Sequence, residues 1–377
     1  MKRIAIIGSS GSIGQQTLEV VDKLKNVKVI ALSNNQNHTT LNKQIKKYKP
    51  KYFNIHEKYL NKVNRVSNIQ QLNNEEIASL EEIDLLIVAS TGITGLKPTI
   101  VALQAGKKVA IANKESLVIG GPFIKQILEE KKESGAELIP IDSEHSAIWQ
   151  CMTGESWETV SSLIITASGG SLIDKSIKDI NTIKPELALK HPNWSMGDKI
   201  TIDSATLFNK ALEVIEANIL FNIPFNKIHS IIHRESIVHS IVNFIDGSSK
   251  AQLGHPDMKI PIQYAISYPT RQYFDSKNII ELLNEKKLTF EPIDQKKFPI
   301  YELVISAAKK SDGSLPALLG ADEILVNAFL AGRCEFGKIY EVQKKIYDQW
   351  HATDQLELDN VLDAYKWGEI FATKQLG

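Results

Sequence analysis

The chain begins with a strand, a glycine-rich turn and a helix, and this order constrains the fold more than any other feature. "RIAIIG" is an apolar run typical of a buried strand, and "IGQQTLEVVDKL" places Leu18, Val21 and Leu24 on one helical stripe. Four further apolar runs, "VKVIALS", "DLLIVAS", "KKVAIA" and "AELIPI", alternate with helical patterns. Such alternation is typical of a doubly wound parallel sheet. We therefore predict an α/β, Rossmann-like domain over residues 1–143.

Three glycines occupy the first strand-to-helix turn. Gly8, Gly11 and Gly14 allow a tight turn and a close approach of the backbone to a pyrophosphate, which the helix N-terminus would stabilise. Ser10 and Ser12 add hydroxyl donors. The spacing is GxxGxxG and not the usual GxGxxG of dinucleotide sites, so a turn without a ligand is the alternative.

The end of the second strand bears on which nucleotide would bind. NAD-binding proteins often place an acid there, on the ribose 2′-hydroxyl. "VIALSNNQN" ends without one, and an acid would repel a 2′-phosphate, so the sequence favours NADP. Position 36 is Gln, and the nearest basic side chains are His38 and Lys43.

The pattern changes after Ser143. "SSLIITAS", "IHSIIH", "IVHSIVNFIDG" and "SKAQLG" indicate a second sheet, which predicts an α+β domain over 144–275. Residues 276–299 would connect it to the rest, with an isolated strand "LTFEPI" at 288–293. From 300 to 377 the periodicity is helical, and we predict a small helical bundle.

Two acids follow the strand "AELIPI". Asp142 and Glu144 are two residues apart, so in an extended segment both would point to one side. They also stand at the carboxyl end of a strand, where open α/β folds bind ligands. Mg²⁺ or Mn²⁺ would relieve their mutual repulsion and accept their oxygens. Solvated charges or a helix cap for "SAIWQ" are the alternatives, and adjacent His145 is expected to be structural.

A second polar constellation lies in "HPNWSMGDKITIDSATLFNKALEVIEA". Asp203 or Ser204 is expected to cap a helix over 205–217. Three polar side chains would then share one face of that helix: Asn209, Lys210 and Glu213. Ser204, Asn209 and Lys210 would suit a phosphate. A Lys210–Glu213 surface ion pair is the alternative.

Three loops carry further polar groups. "HPNWSMG" could form a lid in which Trp194 covers a substrate, or the indole could anchor a buried loop. "TASGG" offers the Ser168 hydroxyl and backbone donors for an anion, or is a plain turn. Lys114 and Glu115 stand at another strand end.

The bulk composition excludes several function classes. Lys+Arg and Asp+Glu are both 44, so no net charge attracts nucleic acid or an anionic membrane, and we expect neither as a partner. The two cysteines, Cys151 and Cys334, have no metal-site spacing. No run approaches about 20 apolar residues, the length of a membrane span. We expect a cytoplasmic protein.

Taken together, these segments resemble the 1-deoxy-D-xylulose 5-phosphate reductoisomerase family of the methylerythritol phosphate route to isoprenoids. The similar runs lie in family order from residue 8 to about 333. They are "GSSGSIG", "ANKESLV", "PIDSEHSAIWQ", "TASGG", "HPNWSMG", "DSATLFNKALEVIEA", "DGSSKAQLGHPDMKIPI" and "AFLAGR".

The resemblance implies a reaction and roles at matching positions. It implies conversion of 1-deoxy-D-xylulose 5-phosphate to 2-C-methyl-D-erythritol 4-phosphate with NADPH and Mg²⁺ or Mn²⁺, in a homodimer. The implied metal ligands are Asp142, Glu144 and Glu213. The implied substrate contacts are Lys114, Ser143, Glu144, Ser168, His191, Trp194, Met196, Ser204, Asn209, Lys210 and Glu213. The implied NADPH set is Gly8, Ser10, Gly11, Ser12, Ile13, Asn35, Gln36, Asn37, Asn113, Glu115 and Gly197. Proton movers, left unranked, are Lys114, Glu144 and His191.

The chain departs from the family pattern at three places. Gln36 replaces the usual Lys near the 2′-phosphate, which puts NADPH selectivity in doubt. Asp198 stands where a basic residue is common, and Asp322 replaces a usual Asn. Two other functions compete: an NADP-dependent dehydrogenase of a small hydroxy acid or semialdehyde, and a non-catalytic dinucleotide sensor. Neither needs the three carboxylates.

Overall fold

The computed structural model describes residues 1–64, 68–194, 196–273, 287–352 and 357–377. The chain forms two compact units. The first unit comprises Met1–Ser146 and Asp257–Lys277, and the second comprises Ala147–Pro256 and Asn278–Gly377. The four-domain division expected from the sequence stays a prediction. Within the described residues, no helix combines the length and apolarity that a membrane crossing requires.

The first unit is built on a parallel sheet. Its strands are β1 (Lys2–Ile7), β2 (Val27–Ser33), β3 (Tyr52–Asn54), β4 (Gln70–Gln71), β5 (Leu85–Val88), β6 (Lys108–Ile111) and β7 (Glu137–Pro140). Their order is β4-β3-β2-β1-β5-β6-β7, and every pairing is parallel. The order reverses after β1, as in a doubly wound fold, so the predicted α/β class is confirmed.

The second unit contains a mixed sheet. Its strands are β8 (Val160–Ala167), β9 (Ile228–Ile232), β10 (Val238–Phe244) and β11 (Ser249–Leu253). The order is β11-β10-β8-β9, with β8 and β9 parallel and the other pairs antiparallel. The four predicted strands are present.

Helices connect and cover the strands in both units. Their bounds are α1 (Ser12–Lys23), α2 (His38–Tyr48), α3 (Asn74–Ser79), α4 (Leu96–Gln104), α5 (Lys114–Glu130), α6 (Ser143–Cys151), α7 (Ile177–Asn181), α8 (Pro185–Ala188), α9 (Asp198–Thr206), α10 (Phe208–Phe221), α11 (Lys259–Ser267), α12 (Pro299–Lys310), α13 (Ser314–Leu330), α14 (Gly337–Gln349) and α15 (Leu358–Leu376). The helical character predicted for the C-terminal part is confirmed by α12 to α15.

Burial explains which strands the sequence revealed. In β1 and β5 the apolar residues Ile4, Ile6, Leu86 and Ile87 are fully buried, because helices cover both faces of a parallel sheet. Such strands are continuous apolar runs. The strands β3 and β4 are only three and two residues long, so neither contains an apolar run, although Phe53 of β3 is buried.

Two glycines bring α13 and α15 into close contact in the second unit. A Cβ at Gly320 would lie 2.0 Å from the carbonyl oxygen of Tyr365. A Cβ at Gly368 would lie 1.9 Å from that of Ala317. The two backbones therefore touch, and any side chain at either glycine would force the helices apart.

Three local predictions are wrong. Residues 288–293 form no strand, because only one β-bridge, Glu291 to Ile232, joins them to the sheet. The segment after Asp142 is not extended, since α6 begins at Ser143. The helix predicted over 205–217 is two helices, α9 and α10.

The break between α9 and α10 removes the predicted cap. Leu207 adopts a left-handed conformation with φ 61°, which ends α9. The Thr206 hydroxyl then accepts the backbone N–H of Phe208 at 3.2 Å, at the start of α10. Asp203 and Ser204 therefore lie inside α9 and cap nothing. The helical spacing of polar residues in the sequence does not indicate that Leu207 changes the chain direction between two helices.

Candidate active site

The glycine loop of the first unit is shaped by close backbone contacts. Gly8 has φ +86°, and a Cβ there would lie 2.6 Å from backbone atoms of Ala89 and Ser90. A Cβ at Gly14 would lie 2.2 Å from the carbonyl oxygen of Gly8. Gly11 stands at the N-cap of α1 without a side-chain cap, so the first amides of that helix face outward as donors. This arrangement fits a pyrophosphate.

The segment after β2 holds the loop in place. The Asn34 side-chain oxygen accepts the Ser10 N–H at 2.8 Å and the Ser9 hydroxyl at 3.0 Å. Asn35 and Gln36 are exposed. Asn37 caps α2 by accepting the Thr40 N–H at 3.0 Å. Of the three predicted NADPH residues here, Asn37 thus has a structural role of its own.

The end of β6 carries predicted cofactor and substrate residues. Asn113 caps α5 by accepting the Ser116 N–H at 2.7 Å, and its amide donates to the carbonyls of Ser90 and Gly92 at 2.7 and 2.8 Å. Asn113 therefore fastens the ends of β5 and β6 together. Predicted Glu115 lies in the first turn of α5.

Lys114 and Asp142 form a largely buried ion pair. Nζ lies 2.7 Å from Oδ2, and the two side chains are 9% and 13% exposed. Burial favours the neutral carboxyl, yet Lys114, His145 and a hydrogen bond with Glu144 hold the pKa of Asp142 well below its usual range. Asp142 is therefore ionised, as a metal ligand must be.

Glu144 stands beside Asp142. The Ser143 hydroxyl donates to Glu144 Oε2 at 2.6 Å, and one carboxylate oxygen of Glu144 lies within 4.8 Å of one of Asp142. Asp142 and Glu144 are close because the chain turns from β7 into α6 at this point. The sequence had suggested that an extended segment would bring them together. His145 is fully buried, in keeping with its expected structural role.

In the second unit, "TASGG" forms a turn that contacts α9. Gly169 and Gly170 have φ +87° and +66°, and a Cβ at Gly170 would lie 2.6 Å from the carbonyl oxygen of Ser204. This close approach brings the Ser168 turn beside the last turn of α9. Two of the predicted phosphate contacts, Ser168 and Ser204, are thereby held on adjoining backbone segments.

His191 orients Ser168. Its Nδ1 accepts the backbone N–H groups of Asn193 at 3.2 Å and Trp194 at 3.0 Å, so the ring proton resides on Nε2. Nε2 lies 2.9 Å from Ser168 Oγ and donates to it. Gly170 N–H also donates to that oxygen at 3.2 Å, so the Ser168 hydroxyl proton is free to donate elsewhere. Burial lowers the pKa of His191 to about 4, which keeps the ring neutral.

The predicted lid is fastened at its start. The Asn193 amide donates to the Ser236 hydroxyl at 2.9 Å and to the carbonyl of Arg234. The Trp194 ring lies 6.1 Å from that of His239. No role was expected for Asn193, although it lies within "HPNWSMG". Met196 is half-buried, and Gly197 is the N-cap of α9.

Asn209, Lys210 and Glu213 come together on α10, as their spacing predicted. Glu213 accepts the Asn209 amide at 2.5 Å and forms an ion pair with Lys210. The Lys210 and Glu213 side chains are only 5% and 2% exposed. The surface ion pair considered as the alternative is therefore wrong, because packing in the second unit covers this face of α10.

Two departures from the family pattern have local explanations. Asp322 is buried and lies 2.7 Å from the Lys199 ammonium, and its other oxygen accepts the Gln343 amide at 3.0 Å. Lys199 also pairs with Asp203 of its own helix at 2.6 Å, and its contact with Asp322 joins α9 to α13. Asp198 is exposed in the first turn of α9, where the helix dipole favours an acid.

Family models match most of the chain. Residues 4–121 match 1-deoxy-D-xylulose 5-phosphate reductoisomerase, and residues 138–221 match the C-terminal domain of that enzyme. A further model, the DXP reductoisomerase C-terminal domain, matches residues 253–370.

Curated relatives carry the same name. The chain is 41% identical to the 1-deoxy-D-xylulose 5-phosphate reductoisomerase of Desulforamulus reducens, covering 99% of this chain and 98% of the relative. It is 41% identical to that of Thermodesulfovibrio yellowstonii, covering 100% of both. It is 42% identical to reductoisomerase 1 of Bacillus cereus, covering 100% and 99%.

Solved structures give the same result. A DOX-P reductoisomerase in complex with NADPH, fosmidomycin and magnesium superposes with a TM-score of 0.92 at 34% identity, covering 100% of this chain and 98% of the other. The Zymomonas mobilis enzyme in complex with NADPH gives 0.90 at 33% identity, covering 100% and 99%.

Proposed function

This chain belongs to the 1-deoxy-D-xylulose 5-phosphate reductoisomerase family and is an NADPH- and divalent-metal-dependent reductoisomerase; from that premise we propose which of its residues perform the reaction. The reaction converts 1-deoxy-D-xylulose 5-phosphate to 2-C-methyl-D-erythritol 4-phosphate in isoprenoid biosynthesis. The observation that carries the assignment is that each unit contains a carboxylate paired with a lysine away from solvent: Asp142 with Lys114 is largely buried, and Glu213 with Lys210 is buried. Burying such charges is costly and marks functional sites.

We propose that Asp142, Glu144 and Glu213 are the metal ligands. All three offer hard carboxylate oxygens, which Mg²⁺ and Mn²⁺ prefer. The ionised state of Asp142 and the short separation of Asp142 from Glu144 support this donor set. A divalent ion held there would polarise the ketone and the adjacent hydroxyl of the substrate as a Lewis acid.

The substrate phosphate is assigned to Ser168, Ser204, Asn209 and Lys210. Holding the phosphate matters because a fragmentation route would divide the carbon skeleton of the substrate into two pieces. The two pieces can recombine only if the site keeps them bound. The Ser168 hydroxyl, whose oxygen already accepts from His191 and Gly170, has its proton available for a phosphate oxygen. Lys210 supplies the positive charge.

The roles of the three candidate proton movers now differ. His191 has its proton on the nitrogen that faces Ser168 and its lone pair on the nitrogen that accepts two backbone amides. This geometry favours orienting Ser168 and the substrate over proton transfer. Lys114 and Glu144 remain the candidates for moving protons, and Ser143 holds Glu144 in place.

The cofactor-binding assignment uses the loop and its neighbours. Gly8, Gly11, Ser10, Ser12 and Ile13 form the pyrophosphate cradle, whose fit follows from the uncapped start of α1. NADPH bound there would supply the hydride. The remaining proposed contacts are Asn35, Gln36, Asn37, Asn113, Glu115 and Gly197. The segment with Trp194 and Met196 would exclude water from the aldehyde before reduction.

Two further properties complete the proposal: the chain forms a homodimer and works in the cytoplasm. The homodimer follows the family resemblance and can be measured by light scattering on a sizing column. Both cysteines of the chain are free thiols, which suits a reducing compartment. Cell fractionation tests the location.

One assay tests the reaction. The purified chain is given 1-deoxy-D-xylulose 5-phosphate and NADPH, with and without Mn²⁺, and the product is identified by mass spectrometry and NMR. We expect the rearranged, reduced product and turnover only with the metal. Reduction without rearrangement, or metal-independent turnover, would instead support a simple dehydrogenase.

A further inference from the structure

The segment after β2 lacks the charge that its proposed ligand requires. In doubly wound nucleotide sites the ribose 2′ position lies at the end of the second strand, and a 2′-phosphate is met there by a cationic side chain. In this chain residues 34–37 are Asn, Asn, Gln and Asn, all uncharged. Any cation for a 2′-phosphate must therefore come from another segment.

The segment after β3 is fixed directly beside it. β3 runs parallel to β2, with Asn54 in register with Ser33. The Asn34 N–H donates to the Asn54 carbonyl at 3.0 Å, and the His56 N–H donates to the Asn35 carbonyl at 3.1 Å. These two backbone bonds tie the helical turn Glu57–Lys62, which begins immediately after His56, to the segment that carries Gln36.

Four basic side chains gather around one tyrosine of this turn. The His38 ring stacks on Tyr59 with centroids 6.0 Å apart and planes 23° apart, and the His56 ring meets it edge-on at 6.4 Å. The ammonium groups of Lys58 and Lys62 lie 5.9 and 5.5 Å from the Tyr59 centroid. We name these five residues the Tyr59 cluster.

The cluster has positive charge to offer. Lys58, Lys62 and His56 are exposed, and neither lysine has an ion-pair partner in the described part of the chain. Glu57 is the one acid of the turn. His56 Nδ1 accepts the Lys58 N–H at 3.2 Å, so its proton resides on Nε2 and can be donated even by the neutral ring.

We propose that the Tyr59 cluster binds the 2′-phosphate of NADPH and takes over the task of the lysine that Gln36 replaces. The proposal rests on the proposed function, since it concerns the cofactor of that reaction. Lys58 and Lys62 supply the charge, His38 and His56 supply donors, and Tyr59 fixes their positions by ring and cation–π contacts. Selectivity for NADPH over NADH is thus set by the segment after β3.

The test measures binding of two nucleotides to the full chain, independently of turnover. NADPH and NADH are titrated by isothermal calorimetry against the wild type and the double variant K58A/K62A. The matched control is K25A/K28A, which removes two exposed lysines at the opposite end of β2. We expect K58A/K62A to weaken NADPH binding at least tenfold while the Kd for NADH changes less than twofold. The control should keep the wild-type ratio.

A gain-of-function variant strengthens the test. Adding Q36K to K58A/K62A restores the cation on the β2 side and should recover most of the lost NADPH affinity. Should the double variant fail to fold by circular dichroism, K62A alone gives the same test, with about a threefold expected loss for NADPH. An unchanged NADPH-to-NADH ratio, or an equal loss for both nucleotides, overturns the proposal.

The two proposals fail differently. A wild type that binds neither nucleotide, or binds NADPH without converting 1-deoxy-D-xylulose 5-phosphate, contradicts the proposed function. A wild type that binds NADPH selectively and keeps that selectivity in K58A/K62A contradicts only the role of the Tyr59 cluster.

Discussion

Two lysine–glutamate pairs in the second unit have the same spacing and opposite surroundings. Lys210–Glu213 on α10 and Lys338–Glu341 on α14 are both i,i+3 pairs. The side chains of the first pair are 5% and 2% exposed, and those of the second are 29% and 50% exposed. The spacing of the two pairs is identical, so spacing alone does not distinguish a buried pair from an exposed one.

Burial changes what such a pair means. An exposed pair on a helix contributes about 0.3–0.5 kcal/mol at most, and salt screens it. A buried pair costs desolvation that the attraction between the charges hardly offsets, so selection for stability alone does not explain it. The buried pair is therefore a functional hypothesis, whereas the exposed one is ordinary surface chemistry.

The largest expected effect is on Glu213. E213Q keeps the shape and the contact with Asn209 but removes the charge that the proposed metal site needs, so kcat should fall at least about a thousandfold. Removing the charge that faces the buried Lys210 ammonium should also lower the free energy of unfolding by about 3–5 kcal/mol. Steady-state assays and urea unfolding measure both quantities, and NADPH binding should be unchanged. E341Q is the control and should alter neither; full activity in E213Q would remove Glu213 from the site.

A smaller effect is expected from the basic partner. K210A should raise KM for the phosphorylated substrate by about ten- to a hundredfold, the usual value of a charge-assisted contact. The Kd for NADPH, measured by calorimetry, should stay the same. K338A removes the matching lysine of the exposed pair and should leave KM at the wild-type value. If both variants behave alike, Lys210 does not contact the phosphate.

A buried and an exposed histidine, His239 and His229, should differ in how they affect the pH dependence of stability. Burial lowers the pKa of His239 to about 4, although a hydrogen bond to the Gly254 carbonyl opposes the shift. In the unfolded chain a histidine has a pKa of about 6.5. As the pH falls, the unfolded chain therefore binds the proton at a higher pH than the folded chain. The stability from His239 is therefore present above about pH 6.5 and is lost as pH falls toward 4, a change of about 3 kcal/mol at most. Urea unfolding between pH 7 and 4 should show a flatter dependence in H239N, while H229N, exposed on β9, should keep the wild-type slope.

The sequence revealed the first unit better than the second. Continuous apolar runs marked β1, β2, β5, β6 and β7, because a parallel strand covered on both faces is apolar throughout. The strands β3 and β4 are too short to contain such a run. In the second unit, Leu207 in a left-handed conformation split a predicted helix, since a single backbone torsion is not encoded by apolar spacing.

The candidate site shows the same division. The pattern of residues singled out Asp142, Glu144, Asn209, Lys210 and Glu213 as candidates, but it left solvated charges, a helix cap and a surface ion pair open as alternatives. The tautomer of His191 and the pairing of Lys114 with Asp142 are set by the tertiary structure. The tautomer depends on the backbone conformation that aims the Asn193 and Trp194 N–H groups at His191, and the ion pair joins residues that are distant in sequence.

By itself, the sequence determined the class of the first sheet, the glycine turn, the helical C-terminal part and the family to which the chain is similar. These features depend on local periodicity and on short runs of residues, which the sequence shows directly. Only the tertiary structure decided that Lys210–Glu213 is buried while Lys338–Glu341 is exposed. It also gathered Lys58 and Lys62 around Tyr59, in a helical turn that follows residues bonded through the backbone to the segment with Gln36. The physical reason is that burial and proximity depend on which distant segments pack against a residue. The neighbouring residues in the sequence do not determine those segments.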